Sequence, residues 1–237
     1  PFDPSNKDNL TPRVAVDRFS ERRGLLNSLD RADTVISQEA ESFSEIGNTA
    51  YNVILGNAKD AFDLDQEPDA MREMYGKGGI GDQMLLARRL ARFGTKFITV
   101  NYGGWDMHGN IKAALESKVP PLDKALAAFV KDIYDSGMSE DVLLVVTGEF
   151  GRTRLNQNAG RDHWPSITPM LLSGGGYGHG RVIGSADKGY YPTEGKVGPI
   201  DVAVTMFDHF GIDSKIQRVD QGGRPRYLLE GEGKVIL

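Results

Sequence analysis

The chain has 237 residues, of which 39% are hydrophobic and 26% are charged, with a formal net charge of −5, a pI near 5.4 and no cysteine. This composition is ordinary for a globular protein, and it excludes the clustered basic excess of a nucleic-acid-binding protein as well as disulfides and thiolate metal sites. No apolar run approaches the length of a membrane span, and the first residues lack the pattern of a secretory signal.

The first part of the chain shows the apolar spacing of helices. Four segments have this pattern: 11–36, 42–62, 67–76 and 80–94. Thr11 and Pro12 are residues typical of a helix start, and Gly76 and Gly94 are typical of helix ends. We therefore assign residues 1–94 to a helical region that packs on a sheet.

The pattern changes in the second part of the chain. Residues 95–100 and 141–147 are short and rich in β-branched or other apolar residues, so both are predicted as strands. A helical pattern over 120–137 lies between them, and strand, helix, strand is the unit that joins two parallel strands. The continuous apolar run of 141–147 is typical of a parallel strand covered on both faces. Residues 95–237 are therefore predicted to form an α/β core with a mostly parallel central sheet and flanking helices.

Three further elements are predicted in this core. Residues 166–175 and 180–184 have the pattern of short strands, and residues 199–211 have the pattern of a helix that ends at Gly211. Together with the helical region they are expected to form one structural domain. Because the chain begins without methionine, we expect it to be part of a longer precursor and the domain to be incomplete at its N-terminus.

Polar residues cluster just beyond the ends of the two predicted parallel strands. Two clusters follow these strands and a third comes shortly after: NYGGWDMHGN at 101–110, TGEFGRT at 147–153 and GRDHWP at 160–165. In open parallel sheets, ligands bind beyond the carboxyl ends of the strands. This position predicts that the three clusters form one site.

The clusters offer oxygen and nitrogen ligands for a metal ion. The predicted ligands are Asp106, His108, Glu149 and His163. Asp106 and His108 are two residues apart, so an extended backbone points both side chains the same way. Carboxylate and imidazole ligands together suit zinc, manganese, iron or calcium. Arg152 is a candidate for holding a phosphate or sulfate oxygen, and Asp162 is a candidate for orienting a neighbouring ligand.

Each cluster alone also fits a purely structural role. Asp106 can cap a turn, Glu149 can form an ion pair with Arg152, and Asp162 can belong to a salt-bridged loop beside a buried tryptophan. The chain contains neither a G-x-S-x-G nucleophile motif nor a cysteine. The sequence therefore does not identify a catalytic nucleophile.

Several segments resemble one bacterial family. In chain order they are AFDLDQEPDAMREMYG, LLARRLARFGTKFITVNYGGWDMHGN, VVTGEFGRT, NAGRDHWP, LLSGGG and DVAVTMFDHFGID. Together they resemble the C-terminal part of the family catalogued as domain of unknown function fifteen-oh-one, over nearly the whole chain. That family is grouped with the alkaline phosphatase and sulfatase superfamily, and its members are typically exported. The resemblance therefore implies an alkaline-phosphatase-like fold, a periplasmic location and hydrolysis of phosphate or sulfate esters with divalent metal ions.

The resemblance also assigns roles to individual residues. In that superfamily, an Asp–His pair and a later His hold one metal. Asp106 and His108 resemble the pair, and His163 resembles the later His. Glu149 falls where the superfamily has the Asp of an S-D-H-G segment, and Phe150 replaces the His of that segment. The superfamily's nucleophile and its first metal-binding Asp belong to an upstream strand and helix. The resemblance thus implies that the missing N-terminal portion of the same precursor completes the site.

Three functions are open at this point. The first is metal-dependent hydrolysis of a small-molecule or carbohydrate ester of phosphate or sulfate. The second is a catalytically degenerate relative that serves as a structural or binding module, which Phe150 and the short D-M-H spacing favour. The third is hydrolysis of another bond, such as a carbohydrate ester. The metal identity, the substrate and the oligomeric state do not follow from the sequence.

Overall fold

The computed structural model describes residues 58–236 together with residues 15, 17, 18, 21, 22, 24 and 25. The chain divides into two compact units, Pro1–Asn101 and Tyr102–Leu237. Most of the predicted helix over 11–36, and residues 42–57 of the next predicted helix, lie outside the described residues.

The described part of the first unit is helical. Its elements are α1 (Ala58–Ala61), a short 3-10 helix (Leu64–Gln66), α2 (Asp69–Tyr75) and α3 (Gly79–Arg92). Gly76 and Gly94 follow α2 and α3 with φ angles of 88° and 89°, which suit glycine because it has no Cβ. Both helices and both glycine ends confirm the predictions from sequence. The apolar face of α3, with Ile80, Met84 and Leu85 buried, packs on the preceding elements.

A buried group of charges ties α3 to the segment before it. Arg88 and Arg89 both donate through Nη1 to Oε1 of Glu67, and the three side chains are only 6%, 8% and 9% exposed. Arg89 Nε also donates to the carbonyl oxygen of Ala61 at 2.9 Å. Buried charges are tolerated when they are paired and hydrogen-bonded. This group therefore fixes α1 and the 3-10 segment against α3.

The second unit combines two helices with short strands. Its elements are α4 (Ile111–Asp135), β1 (Leu143–Thr147), β2 (Gly151–Leu155), β3 (Arg161–Trp164), β4 (Met170–Gly174), α5 (Pro199–His209), β5 (Gln217–Val219) and β6 (Pro225–Tyr227). The buried side of α4 carries Ala125, Phe129 and Ile133, and α4 contacts β4. Among the described residues, no helix has the length and apolarity needed to cross a membrane.

The mostly parallel central sheet predicted from sequence is wrong. Each described sheet has two antiparallel strands, and the pairs are β1 with β4, β2 with β3, and β5 with β6. β1 runs from Leu143 opposite Gly174 to Thr147 opposite Met170. A continuous apolar run does not specify the direction of its partner, and the chain reversal between β1 and β4 needs no crossover helix. The described fold is therefore α+β.

Two predicted strands do not form. Residues 95–100 and 180–184 belong to no ladder in the described structure, and Phe97 and Val182 are 66% and 96% exposed. A strand is stabilised by cross-strand partners, so apolar residues without a ladder remain extended or irregular. Because 95–100 is not a strand, α4 does not connect a parallel pair.

The helix predicted over 120–137 begins nine residues earlier, at Ile111, and Pro120 and Pro121 lie inside it. Backbone bonds fix this earlier start: Asn110 N–H donates to the carbonyl of Asn158, and Ile111 N–H donates to that of Ala159. These bonds satisfy donors that a helix start otherwise leaves unpaired. The end near Gly137, the strands within 141–147 and 166–175, and α5 before Gly211 confirm the sequence predictions.

Candidate metal centre

The loop before α4 presents Asp106 and His108 together. Met107 is 8% exposed, whereas Asp106 and His108 on either side of it are exposed. A tight turn, in which Met107 N–H donates to the carbonyl of Trp105 at 2.9 Å, and a bend at His108 bring the two polar side chains together while Met107 is buried. His108 Nε2 consequently lies 2.9 Å from Asp106 Oδ1.

The β2–β3 hairpin supplies the rest of the site. Its register pairs Gly151 with Trp164 and Arg152 with His163. Directly opposed residues of an antiparallel pair project from the same face of the sheet. The hairpin therefore presents Arg152 and His163 side by side, although they are distant in sequence.

The turn of this hairpin holds the loop that carries His108. Arg161 N–H donates to the carbonyl of Met107 at 2.9 Å, and an isolated bridge joins Gly109 to Ala159. Asn156 Nδ2 donates to the carbonyl of His108 at 3.2 Å. These contacts come from both sides of His108, so the hairpin turn fixes its position.

Gly160 allows this close approach. A Cβ atom at this position would lie 2.0 Å from the carbonyl carbon of His108 and 2.2 Å from the amide nitrogen of Gly109. Both are backbone atoms, which cannot rotate away as a side chain can. The loop and the hairpin can therefore meet at this distance only because residue 160 has no side chain.

Three nitrogen atoms converge on one oxygen of Asp106. Its Oδ1 lies 2.7 Å from Arg152 Nη1, 2.8 Å from His163 Nε2 and 2.9 Å from His108 Nε2. The carboxylate and the two imidazoles form the group of potential metal ligands in the described structure, with one atom from each within 4.8 Å of the others. The side chains of this group are about half exposed, at 60%, 48% and 47%.

This donor set fits a divalent metal ion. Neighbouring ligands of a tetrahedral zinc ion, each bonded at about 2.0–2.1 Å, lie about 3.3 Å apart. The nitrogen–oxygen distances of 2.8 and 2.9 Å in this group are close to that spacing. Two imidazoles and one carboxylate, with the remaining side open to solvent, also match the composition of catalytic metal sites that keep one position for water or substrate.

Asp162 orients the His108 ring. Its Oδ1 lies 3.0 Å from His108 Nδ1 and accepts from Asn156 Nδ2 at 3.1 Å. When Nδ1 carries the proton toward Asp162, Nε2 presents its lone pair toward Asp106 and His163. A carboxylate bound to the far nitrogen of a histidine is the usual support of a metal-ligating imidazole.

The hydrogen bonds shift the protonation equilibria of these groups. The hydrogen bond with His163, followed by that with Arg152, holds the pKa of Asp106 well below the usual carboxyl range. The hydrogen bond with Asp162 raises the pKa of His108, and the same bond, with help from Asn156, lowers the pKa of Asp162. Both carboxylates therefore stay ionised at neutral pH, as binding of a cation requires.

Glu149 and Phe150 occupy different positions from those of the clustered ligands. Glu149 lies in the exposed bend before β2 and is not a member of the group formed by Asp106, His108 and His163. Its assignment as a ligand therefore stays a prediction. The Phe150 ring lies 4.3 Å from the His163 ring, between centroids, and faces the guanidinium of Arg152 at 5.4 Å.

Comparison with known protein families identifies the family of this chain. The model of the family described as "Protein of unknown function (DUF1501)" matches residues 3–237. The chain belongs to the DUF1501 family. No curated protein matches it, and no solved structure matches it. Membership in DUF1501 confirms the family resemblance and carries neither a superfamily nor an activity, so a function for this DUF1501 protein has to be argued from its site.

Asn156 and Gly160 organise the DUF1501 site, and neither was singled out from the sequence. Asn156 closes the hairpin turn, since its Oδ1 accepts from the backbone N–H groups of Asn158 and Gly160 at 3.0 Å each, while its Nδ2 reaches Asp162 and His108 as described above. The signal was the composition of 156–160, NQNAG, because asparagine and glycine between two short segments indicate a hairpin loop.

Proposed function

We propose that Asp106, His108 and His163 bind a divalent metal ion and that this DUF1501 protein hydrolyses phosphate or sulfate esters at that ion. One observation carries the proposal: Nε2 of both histidines lies within 2.9 Å of the same oxygen of Asp106. Zinc, manganese and iron all suit two imidazoles and one carboxylate, whereas calcium prefers a set made of oxygens alone.

The chemistry follows from the ion and from the arginine beside it. A bound divalent metal would polarise an ester oxygen and lower the free energy of the negative charge that develops in the transition state of hydrolysis. Arg152 supplies a planar, permanently charged guanidinium that matches two oxygens of a phosphate or sulfate group. In the hydrolysis, the oxygen of water bonds to phosphorus or sulfur, the ester P–O or S–O bond breaks, and the departing alcohol takes a proton.

The other contacts of the site support the ligands. When the His108 ring carries a proton on Nδ1, Asp162 accepts it in a hydrogen bond and Nε2 is left for the metal, and Asn156 holds Asp162 in place. The same donor set supports a relationship to the alkaline phosphatase and sulfatase superfamily, in which an Asp–His pair and a later His hold one metal. In this proposal, the antiparallel hairpin takes the place of the parallel sheet as the scaffold of the ligands.

A metal-binding module without catalysis is the second candidate. The contact of the Phe150 ring with His163 favours it, because a phenyl ring stands where the superfamily has a second metal's histidine. With one metal and no identified nucleophile, the site then binds an ion and an anion without turnover.

Chromogenic esters separate the two candidates. We expect the protein to hydrolyse at least one aryl phosphate or aryl sulfate when zinc or manganese is added, and a chelator to remove this activity. Asp106→Asn should lose it, whereas Asp141→Asn, in the exposed turn before β1, should retain it. Metal binding by calorimetry without turnover on any ester, for this chain and for a longer precursor, supports the binding module. An absence of metal binding contradicts both candidates.

Metal affinity should depend on pH through His108. A metal ligand must be deprotonated, and the raised pKa of His108 means that the proton is held more tightly than by a free imidazole. We therefore expect affinity to fall as the pH is lowered through that raised pKa, by about tenfold per pH unit for one displaced proton. Competition with a chelating dye between about pH 5 and 8.5 measures this dependence.

Asp162→Asn provides the control for this pH dependence. The substitution removes the carboxylate that stabilises protonated His108, so the fall in affinity should begin at a lower pH than in the wild type. The affinity at high pH should also decrease, by about tenfold or more, because the ring loses its orienting partner. An unchanged pH profile would show that the bond between His108 and Asp162 does not control the affinity.

A further inference from the structure

The guanidinium of Arg152 places a positive charge directly beside the carboxylate of Asp106. Its Nη1 donates to Asp106 Oδ1 at 2.7 Å, and this is the oxygen that also lies nearest to both histidines. An arginine in a protein does not lose its proton. The carboxylate of Asp106 is therefore already neutralised by a permanent positive charge in this structure.

The guanidinium and a divalent ion make competing demands on Asp106. A carboxylate oxygen offers two lone pairs, and Oδ1 already has three nitrogen atoms around it. An ion held by this oxygen would stand a few ångströms from the positive charge of Arg152 and repel it. The two cations therefore cannot both have their best contact with the same oxygen.

We propose that Arg152 and the metal exchange on Asp106: Arg152 holds Oδ1 in the metal-free chain and releases it when a metal binds. The released guanidinium then binds the oxyanion of the substrate, a phosphate or sulfate monoester. This inference rests on the proposed metal site and adds its regulation, because the anion-binding group becomes available only in the metal-loaded site.

The surroundings of Arg152 keep the guanidinium close to the site after release. Its side chain is 20% exposed, its guanidinium faces the ring of Phe150, and Nη1 also lies 3.5 Å from the carbonyl oxygen of Arg161. Its backbone is fixed in β2 opposite His163. A rotation of the end of the side chain is therefore sufficient, and the hairpin need not move.

Two consequences distinguish exchange from simple support of the site. Removal of Arg152 should strengthen metal binding, because a competing cation is lost, whereas removal of a supporting residue would weaken it. Metal and oxyanion should also bind cooperatively, since each ligand favours the state in which Arg152 has left Asp106, and such coupling is reciprocal.

The first test is calorimetric titration of the full chain with zinc or manganese. Arg152→Gln removes the charge and keeps most of the packing, and Arg152→Ala removes both. We expect each variant to bind metal about three- to tenfold more tightly than the wild type, a moderate effect because solvent and salt screen a half-exposed site. The matched control is Arg154→Gln on the same strand, whose Nη2 donates to the carbonyl of Lys188; its metal affinity should equal that of the wild type.

The possible results separate this inference from the proposed function. Equal or weaker metal binding by both folded Arg152 variants overturns the exchange and leaves the metal site intact. Metal binding by the variants alone would show that Arg152 blocks the site in the wild type and is not displaced by a metal, which overturns the exchange. If neither the wild type nor the variants bind metal, the proposed function and the exchange fall together.

Sulfate provides the second readout. Sulfate should bind to the metal-loaded wild type at least about fivefold more tightly than to metal-loaded Arg152→Gln, because only the wild type has the charged guanidinium of Arg152. Without metal, the two proteins should differ little, because Arg152 is held by Asp106. The same difference between wild type and variant in both states would show that Arg152 is available without metal, and would overturn the exchange.

Discussion

Alanine at position 163 is expected to abolish tight metal binding. The substitution removes one of the two imidazole nitrogens that lie against Asp106 Oδ1 and leaves one carboxylate and one imidazole. We expect the affinity for zinc or manganese to fall on the order of 100-fold or more, because a tetrahedral site loses one of its three protein ligands. Elemental analysis after dialysis and calorimetric titration both measure the loss.

Other histidines supply the controls for this substitution. His179 contacts Tyr134 through a hydrogen bond and an edge-on ring contact, and His209 lies at the end of α5. Neither belongs to the group formed around Asp106, so His179→Ala and His209→Ala should bind metal as the wild type does. Full metal content in a folded His163→Ala protein would place the ion elsewhere and remove the basis of the proposed hydrolase.

The helices and their ends could be predicted because local rules determine them. The apolar stripe of α3 and the glycines after α2 and α3 act over a few residues, and the described structure agrees with them. The early start of α4 could not be predicted, because it depends on carbonyl groups from the distant turn at 156–160. Pro120, a usual helix-start residue, then pointed to the wrong position.

The sheet could not be predicted because strand direction is a long-range property. The apolar run of β1 indicates burial, and a buried apolar run of this length favours a parallel strand covered on both faces. β1 is instead half-buried and pairs with β4 in the opposite direction. Residues 95–100 include β-branched and aromatic residues, which favour strands, but no neighbouring strand pairs with them in the described structure.

Three of the four predicted ligands, Asp106, His108 and His163, lie together although the predicted scaffold is wrong, and Glu149 is not among them. The D-x-H and D-H patterns identify side chains with ligand chemistry, and two residues so near in sequence can reach one another whatever the surrounding sheet is. The β2–β3 hairpin was not predicted, because charged and small residues dominate its strands and hide the pattern of a half-buried strand. The meeting of the two segments depends on Gly160, whose role is visible only when the backbones are seen in contact.

Gly160→Ala should therefore separate the two halves of the site. The new Cβ atom would overlap the backbone of His108 and Gly109, at 2.0–2.2 Å from their atoms, and these contacts are relieved only if the loop and the hairpin turn move apart. We expect a loss of stability of about 2–3 kcal/mol, in the range of an overpacked contact that shifts backbone, and a fall in metal affinity of about tenfold or more as His108 moves from His163. Urea unfolding and calorimetric titration measure the two effects.

Gly109→Ala is the matched control for Gly160→Ala. It lies in the facing loop beside His108, and its Cβ would meet nothing closer than the carbonyl oxygen of Asn158 at 3.6 Å, an ordinary contact. We expect its stability to remain within about 0.5–1 kcal/mol of the wild type and its metal affinity to be unchanged. If Gly160→Ala binds metal as tightly as Gly109→Ala does, the close approach of loop and turn is not what assembles the ligands. His108 is then held by its remaining contacts, including the bond to Asp162, which Asp162→Asn would disrupt in the Gly160→Ala background.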